Sequence, residues 1–260
     1  MKPKTLILHA SGTNRDNDIA EAIEKAGGIP NIVHINQLKT KEYKWNDFQL
    51  LVVPGGFSYA DALGAGKLLA IDINTYFSDE INSFIEKGKP VIGICNGFQA
   101  LIKSGVFDAS TSNKDHRRAT LTFNESGHFE CRWVTLMNKS KKCIWTSTLT
   151  DLIDCPVAHG EGNFQISNDT DIDLFINNDQ IALLYVKPDG SPANNSYPYN
   201  PNGSLLDIAG ICNAQGNVLG LMPHPENHIH SYQHPHYFRN YIGKTGLNLF
   251  KNGIKYANQI

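Results

Sequence analysis

Pro90-Val-Ile-Gly-Ile-Cys95-Asn-Gly-Phe-Gln-Ala-Leu-Ile102 contains the change of pattern that decides the fold. Residues 90–94 are almost unbroken apolar chain, which predicts a strand covered on both faces. The stretch after it is amphipathic at helical spacing through Ala100, Leu101 and Ile102. Between the two, Gly93-Ile-Cys-Asn-Gly97 puts a cysteine flanked by glycines on a sharp strand-to-helix turn. That is the layout of a nucleophile elbow, in which small neighbours relieve crowding at a strained backbone position. A thiol there must be ionisable and reachable. It feels the positive end of the following helix, and the Asn96 N–H supplies one half of an oxyanion hole. A free cysteine is ordinarily a small buried hydrophobe. The paired glycines and the preceding strand favour the nucleophile.

Upstream, apolar strands alternate with helical patterns. Residues 5–10 read as a strand, 18–26 as a helix capped by Asn17 or Asp18 and stopped at Gly27-Gly28, and 29–35 as a second strand. Residues 48–53 form a third strand, closed by Pro54-Gly55-Gly56, and Phe77, Ile81, Phe84 and Ile85 mark a further helix ended by Lys87-Gly88. Continuous apolar strands separated by helices predict a parallel sheet covered on both faces. From about residue 118 the texture becomes β-rich, at 119–123, 129–137, 180–186, 207–212 and 218–222. These pieces read as antiparallel additions to the same sheet. Residues 187–204 form a loop too long for a mere connection, so it is read as functional or mobile, and 237–258 close the chain with one or two helices.

A thiol nucleophile needs a base and a group that orients the base. Met222-Pro-His224-Pro-Glu226 offers both. Each residue before a proline is pushed toward extended backbone, and in extended chain His224 and Glu226 point to one side. Gly55-Gly56 after a buried strand lets bare backbone approach a ligand, and neither a phosphate-loop nor a dinucleotide pattern surrounds it. His159-Gly-Glu161-Gly reads as a hairpin or a substrate wall, with the hairpin favoured. His228, His230, His234 and His236 read as an exposed histidine-rich loop, without the acid or cysteine partners that would close a metal site.

The chain has 260 residues, 41% of them hydrophobic and 18% charged, with a formal net charge of −2. That balance argues against an electrostatic nucleic-acid partner, and the low charged fraction leaves surface for another partner. No apolar run is long enough to span a bilayer and no secretory signal is evident, so a cytoplasmic, non-membrane protein is expected. Cys95, Cys131, Cys143, Cys155 and Cys212 show no Cys-x-x-Cys pair, and no disulfide framework is expected.

These residues resemble a class I, triad-type glutamine amidotransferase, and within that family the glutaminase subunits of phosphoribosylformylglycinamidine (FGAM) synthases. The segments that carry the resemblance are Gly55-Gly-Phe-Ser-Tyr-Ala-Asp61, Gly93-Ile-Cys-Asn-Gly-Phe-Gln99, Pro156-Val-Ala-His-Gly-Glu-Gly162 and Asn200-Pro-Asn-Gly-Ser204, the last continuing to Ile208-Ala-Gly-Ile-Cys-Asn213 and Met222-Pro-His-Pro-Glu226. The resemblance implies that Cys95 attacks the carboxamide of L-glutamine, His224 carries the proton to leaving ammonia, and Glu226 orients His224. Backbone N–H groups near Gly56 and at Asn96 would hold the oxyanion, with Gly55, Gln99, His159 and Glu161 as further substrate-binding candidates. Ammonia would pass to a synthetase subunit, PurL, which uses ATP and Mg, and a PurS dimer bridges the two in the small-subunit form of such complexes. No cofactor or metal is expected on this chain itself.

The resemblance also implies an α/β fold: a flavodoxin-like three-layer sandwich on a central, mostly parallel sheet, with antiparallel additions in the second half, as one domain over residues 1–260. Additions near residues 104–118 and 228–243 and Ala60 in place of a glycine depart from the family pattern. Two rivals keep the fold: a stand-alone cysteine hydrolase of peptides or γ-glutamyl conjugates, and a non-catalytic scaffold subunit. Glu226 and the blocks peculiar to the purine group weigh against the first, and the intact Cys-His-Glu set weighs against the second.

Overall fold

The computed structural model describes residues 2–108, 117–239, 241 and 244–260; most of the addition expected near residues 104–118 lies outside them. The first half runs β1 (Lys4–His9), α1 (Asp16–Ala26), β2 (Ile29–His34), α2 (Ile35–Lys39), β3 (Leu50–Val53), α3 (Lys67–Tyr76), α4 (Ser78–Glu86), β4 (Val91–Ile94) and α5 (Asn96–Ser104). Then come β5 (Ala119–Thr122), β6 (Glu130–Asn138), β7 (Ile153–His159), β8 (Asn163–Ile166), α6 (Asp169–Asn177) and β9 (Ile181–Val186). The chain closes with β10 (Ile208–Cys212), β11 (Val218–Leu221) and α7 (Leu247–Ala257).

A nine-stranded sheet has the order β2-β1-β3-β4-β11-β10-β9-β6-β7. Strands β2, β1, β3, β4 and β11 run parallel, and every later junction is antiparallel. Right-handed crossovers place α1 on one face and α3 to α5 on the other, because the strand order reverses between β1 and β3. α7 returns to pack on α1, while α3 packs on α4 and α5. The central strands β3, β4, β10 and β11 are buried at every position, as strands covered on both faces must be.

Several local expectations give way to tertiary context. α1 begins at Asp16 with Arg15 at the cap position, earlier than Asn17 or Asp18, and Asp16 and Asp18 place negative charge in its first turn. β2 stops at His34, whose Nδ1 accepts the Asn36 N–H and starts α2 one residue later. Residues 119–122 do not join the main sheet: β5 pairs with β8 in a separate two-stranded sheet. β7 carries Pro156, which argues against a strand, yet β7 is the outermost strand and a missing N–H is tolerated there. The turn at Gly160–Gly162 joins β7 to β8, strands of different sheets, so it is not a hairpin. Nor is the histidine segment simply an exposed loop. His228 and His234 are buried, with ring centroids 5.1 and 4.6 Å from that of Trp133.

Candidate active site

Cys95 stands at the junction of β4 and α5 with φ 49° and ψ −108°. A non-glycine residue at positive φ is rare and costs roughly 1–3 kcal/mol, so its surroundings must hold it there. They do. Its N–H donates to the Leu221 carbonyl at 2.8 Å, and its carbonyl accepts the Gln99 N–H at 2.9 Å, opening the helix. The flanking glycines are steric requirements: a Cβ on Gly97 would lie 1.9 Å from the Val53 carbonyl oxygen, and one on Gly93 would lie 2.6 Å from Leu101 Cδ1. As the first residue of α5, Asn96 has an N–H with no acceptor within the helix, and it borders the thiol.

His224 follows β11, with its N–H on the Pro156 carbonyl at 2.8 Å. The extended run expected through Glu226 is absent; Pro225–Asn227 is a turn of 3-10 helix. The turn reaches the same end by another route, bringing Glu226 Oε1 to 2.6 Å from His224 Nδ1. The ring lies close enough to Cys95 for the sulfur to act on its charge. Both pack over Gly55, where a Cβ would stand 2.7 Å from His224 Cε1 and 3.4 Å from Cys95 Cβ. Burial alone disfavours the imidazolium, but the Glu226 carboxylate and the cysteine sulfur outweigh it and raise the His224 pKa to about 10. At neutral pH the ring therefore holds a proton. The sulfur, expected to be reachable, is enclosed: Cys95 is 4% exposed and Sγ lies 3.6 Å from the Ala158 carbonyl oxygen.

Gly56 has φ +135°, and a Cβ on it would lie 2.7 Å from the Asn14 nitrogen, so only glycine brings this loop against residues 12–14. The chain then runs through Tyr59, Ala60 and Asp61, all at positive φ, and this loop is fastened to the elbow by Asn96. Asn96 Oδ1 accepts the Ser58 N–H at 3.0 Å, and its Nδ2 donates to Asp61 Oδ1 at 2.8 Å and Gln99 Oε1 at 3.0 Å. Burial raises the Asp61 pKa, and the neighbouring Glu161 adds to the rise.

Gln99 and Glu161 spend their polar atoms on the protein. Gln99 Nε2 donates to the Glu161 carbonyl at 2.7 Å; Glu161 Oε1 accepts the Ala65 N–H at 3.1 Å, and its Oε2 lies 3.5 Å from Lys103 Nζ. They lock three segments together: the loop before α3, helix α5 and the turn after β7. His159 differs. The Asn124 amide donates to the His128 and His159 carbonyls, which leaves Asn124 Oδ1 to accept from Gly162 N–H at 3.0 Å and from His159 Nδ1 at 3.1 Å. The ring proton is thereby fixed on Nδ1, and Nε2 is a buried lone pair with no partner among the described residues. Burial, and next the proximity of His224, lower its pKa to about 3.

The loop at residues 187–204 has a structural task. Asn202 Nδ2 donates to the Gly162 carbonyl at 2.7 Å, and Ser204 Oγ accepts the Phe164 N–H at 3.1 Å, bracing the turn that carries His159. Asn124, Lys103 and Cys155 were not marked by the sequence. Cys155 is buried beside Glu226, and its thiol is pushed well up by burial and by that carboxylate. Each becomes informative only once distant segments are brought together.

Residues 2–257 match the CobB/CobQ-like glutamine amidotransferase domain. The chain belongs to the glutamine amidotransferase family. It is 52% identical to phosphoribosylformylglycinamidine synthase subunit PurQ of Treponema denticola, over 99% of this chain and 100% of the relative. It is 42% identical to the subunit of the same name from Dehalococcoides mccartyi, over 100% of this chain and 99% of the relative. Among solved structures it is similar to PurLQS from Thermotoga maritima, with TM-score 0.74 and 31% identity over 98% of this chain and 99% of that one. The acivicin-bound glutaminase domain of Trypanosoma brucei CTPS shares the fold, at 12% identity and TM-score 0.54, over 99% of this chain and 94% of that one. The α/β fold and the amidotransferase family expected from the motifs are thus the ones found. No helix among the described residues is long and apolar enough to cross a membrane.

Proposed function

We propose that this amidotransferase is the glutaminase subunit of an FGAM synthase, generating ammonia from L-glutamine for a synthetase subunit. One observation carries the reading: Cys95, strained at an elbow, meets His224 braced by Glu226 over bare Gly55, in a chain 52% identical along its whole length to a PurQ subunit. In this reading Cys95 Sγ, its proton already carried by His224, adds to the glutamine carboxamide carbon, and the N–H groups of Gly56 and Asn96 receive the oxyanion. Glu226 occupies Nδ1, so the proton that His224 delivers to the departing nitrogen comes from Nε2. The C–N bond breaks, ammonia leaves, and a γ-glutamyl thioester remains on Cys95. The now neutral His224 takes a proton from water, whose oxygen attacks the thioester. Glutamate departs and the starting protonation state returns.

Glutamine is held, in this reading, between the Gly55-Gly56 turn and the His159 turn. The unpartnered His159 Nε2 supports it, because a buried acceptor without a donor is costly until a ligand supplies one. Gln99 and Glu161 shape the wall through the contacts described above. The partner is a PurL-type synthetase subunit, which uses ATP and Mg to amidate formylglycinamide ribonucleotide, with PurS as a bridging subunit; the glutaminase chemistry of this chain needs no cofactor or metal, and the chain works in the cytoplasm.

The test is reconstitution with the synthetase subunits of the same organism. Cys95→Ala should abolish glutamine-dependent FGAM formation and leave formation from added ammonium salt intact. Equal loss of both, or glutamine hydrolysis at full rate by the Cys95→Ala chain, overturns the reading.

A further inference from the structure

At the edge of the sheet opposite the elbow lies a cleft of about 600 Å³ that the glutaminase site does not use. Its walls come from the chain entering β3 and β4 and from the α3–α4 junction, whereas Cys95 follows the far end of β4. Lys89 and Cys95 are thus separated by the full strand, about 20 Å at roughly 3.3 Å per residue. The size falls within the range of roughly 300–1,000 Å³ common to small-molecule sites.

The lining has two chemical parts. One is aromatic: the Trp45 ring centroid is 5.5 Å from that of Phe77 and 6.4 Å from that of Phe84, with Tyr43 and Tyr76 beside them. The other is cationic. Lys41, Lys44, Lys87 and Lys89 line the cleft along with Lys39, against only Asp79 and Glu80. Lys39 is already paired with Asp72 at 3.1 Å. Lys89 has its ammonium 4.7 Å from the Phe84 ring centroid and donates to the Phe48 carbonyl at 2.5 Å. Partial burial, and then the like charge of Lys87, lower its pKa, with Asp47 offsetting only part of this. Lys87 and Lys89, two residues apart on the chain entering β4, set two cationic side chains on one wall of the cleft, an electrostatic demand that an anion meets. The Trp45 indole N–H is buried without an acceptor among the described residues, a second polar demand in the same wall.

We propose that this cleft is a second ligand site, for a nucleotide whose flat base lies against the Trp45 and Tyr76 rings, backed by the buried Phe77 and Phe84, and whose phosphates engage Lys87 and Lys89 and the Lys41 and Lys44 rim. Phosphate charge answers the lysines and a planar ring answers the aromatic wall. A ligand with only one of these features would leave half of the lining unmatched.

The experiment is calorimetric titration of the full chain with ATP, with adenosine and sodium tripolyphosphate as separate probes. ATP is expected to bind saturably, one per chain, at least tenfold more tightly than either probe. Alkylation of Cys95 should leave this binding unchanged, which separates it from the glutaminase site. Lys87→Glu and Lys44→Glu, both at exposed positions, should each weaken ATP binding about tenfold with unchanged circular dichroism. Absence of saturable binding at millimolar ATP overturns the proposal. Tripolyphosphate binding as tightly as ATP overturns the role of the aromatic wall. Binding indifferent to both charge reversals places the ligand elsewhere.

Discussion

The imidazole of His224 lies against the bare α-carbon of Gly55, so closely that a methyl group there would stand 2.7 Å from Cε1. A loop after β3 thus sets the position of a ring carried on the loop after β11, strands that β4 separates in the sheet. Gly55→Ala should push the ring away from Cys95 while leaving the sheet intact. Since about 1 Å of misplacement can cost 10²-fold, kcat for glutamine hydrolysis is expected to fall by about that factor with an unchanged far-ultraviolet spectrum. A variant with full kcat would show that the ring has room to spare.

Gly97→Ala tests the elbow from the other side. Its added methyl would meet the backbone oxygen of Val53 at 1.9 Å, which no side-chain rotation can relieve. A loss of about 3 kcal/mol in stability is expected, read as a lower urea midpoint at unchanged m-value.

Asn96 ties the strained loop at residues 58–61 to the helix that begins after Cys95. Asn96→Ala leaves the Ser58 N–H and the Asp61 carboxylate without their partner and should cost about 2 kcal/mol. Asn96→Asp keeps the acceptor but sets a carboxylate against Asp61, whose pKa burial already raises. Its deficit should therefore shrink as pH falls through the carboxylate range, when one of the pair takes up a proton. A urea midpoint difference between Asn96→Asp and wild type that does not vary with pH would refute this.

Two histidines shape the pH dependence of stability in opposite directions. His224 has its pKa raised to about 10 in the folded state, so its contribution is complete below the unfolded value near 6.5 and is lost between there and about pH 10. His159 has its pKa lowered to about 3 and binds its proton less readily when folded, so stability falls as pH drops from about 6.5 toward 3. Together they favour a maximum near pH 6.5. His224→Asn should flatten the alkaline limb and His159→Asn the acid limb, as read from urea midpoints across pH.

Much of the architecture was legible because it rests on local pattern. The apolar runs at β1, β3, β4 and β11 can only be covered strands, and Gly93 and Gly97 around Cys95 leave few alternatives to an elbow. What escaped the sequence was decided by neighbours. Pro156 hides β7 because a proline's fitness for a strand depends on whether that strand is outermost, which only the sheet order reveals. α3 and α6 were not anticipated, since neither patterned stretch stands out from its surroundings.

The site divides in the same way. Sequence alone singled out the residues proposed for the chemistry, because a thiol, an imidazole and a carboxylate at a glycine elbow and a Pro-His-Pro-Glu turn have a narrow range of uses. Tertiary structure decided their states. It gave His224 its proton by setting Glu226 against Nδ1 in a buried turn, and it fixed the His159 tautomer through an Asn124 that lies 35 residues away in the chain. It also turned Gln99 and Glu161 into fasteners of the wall. Charge state and hydrogen-bond direction depend on burial and on through-space neighbours, and those exist only after the chain has folded.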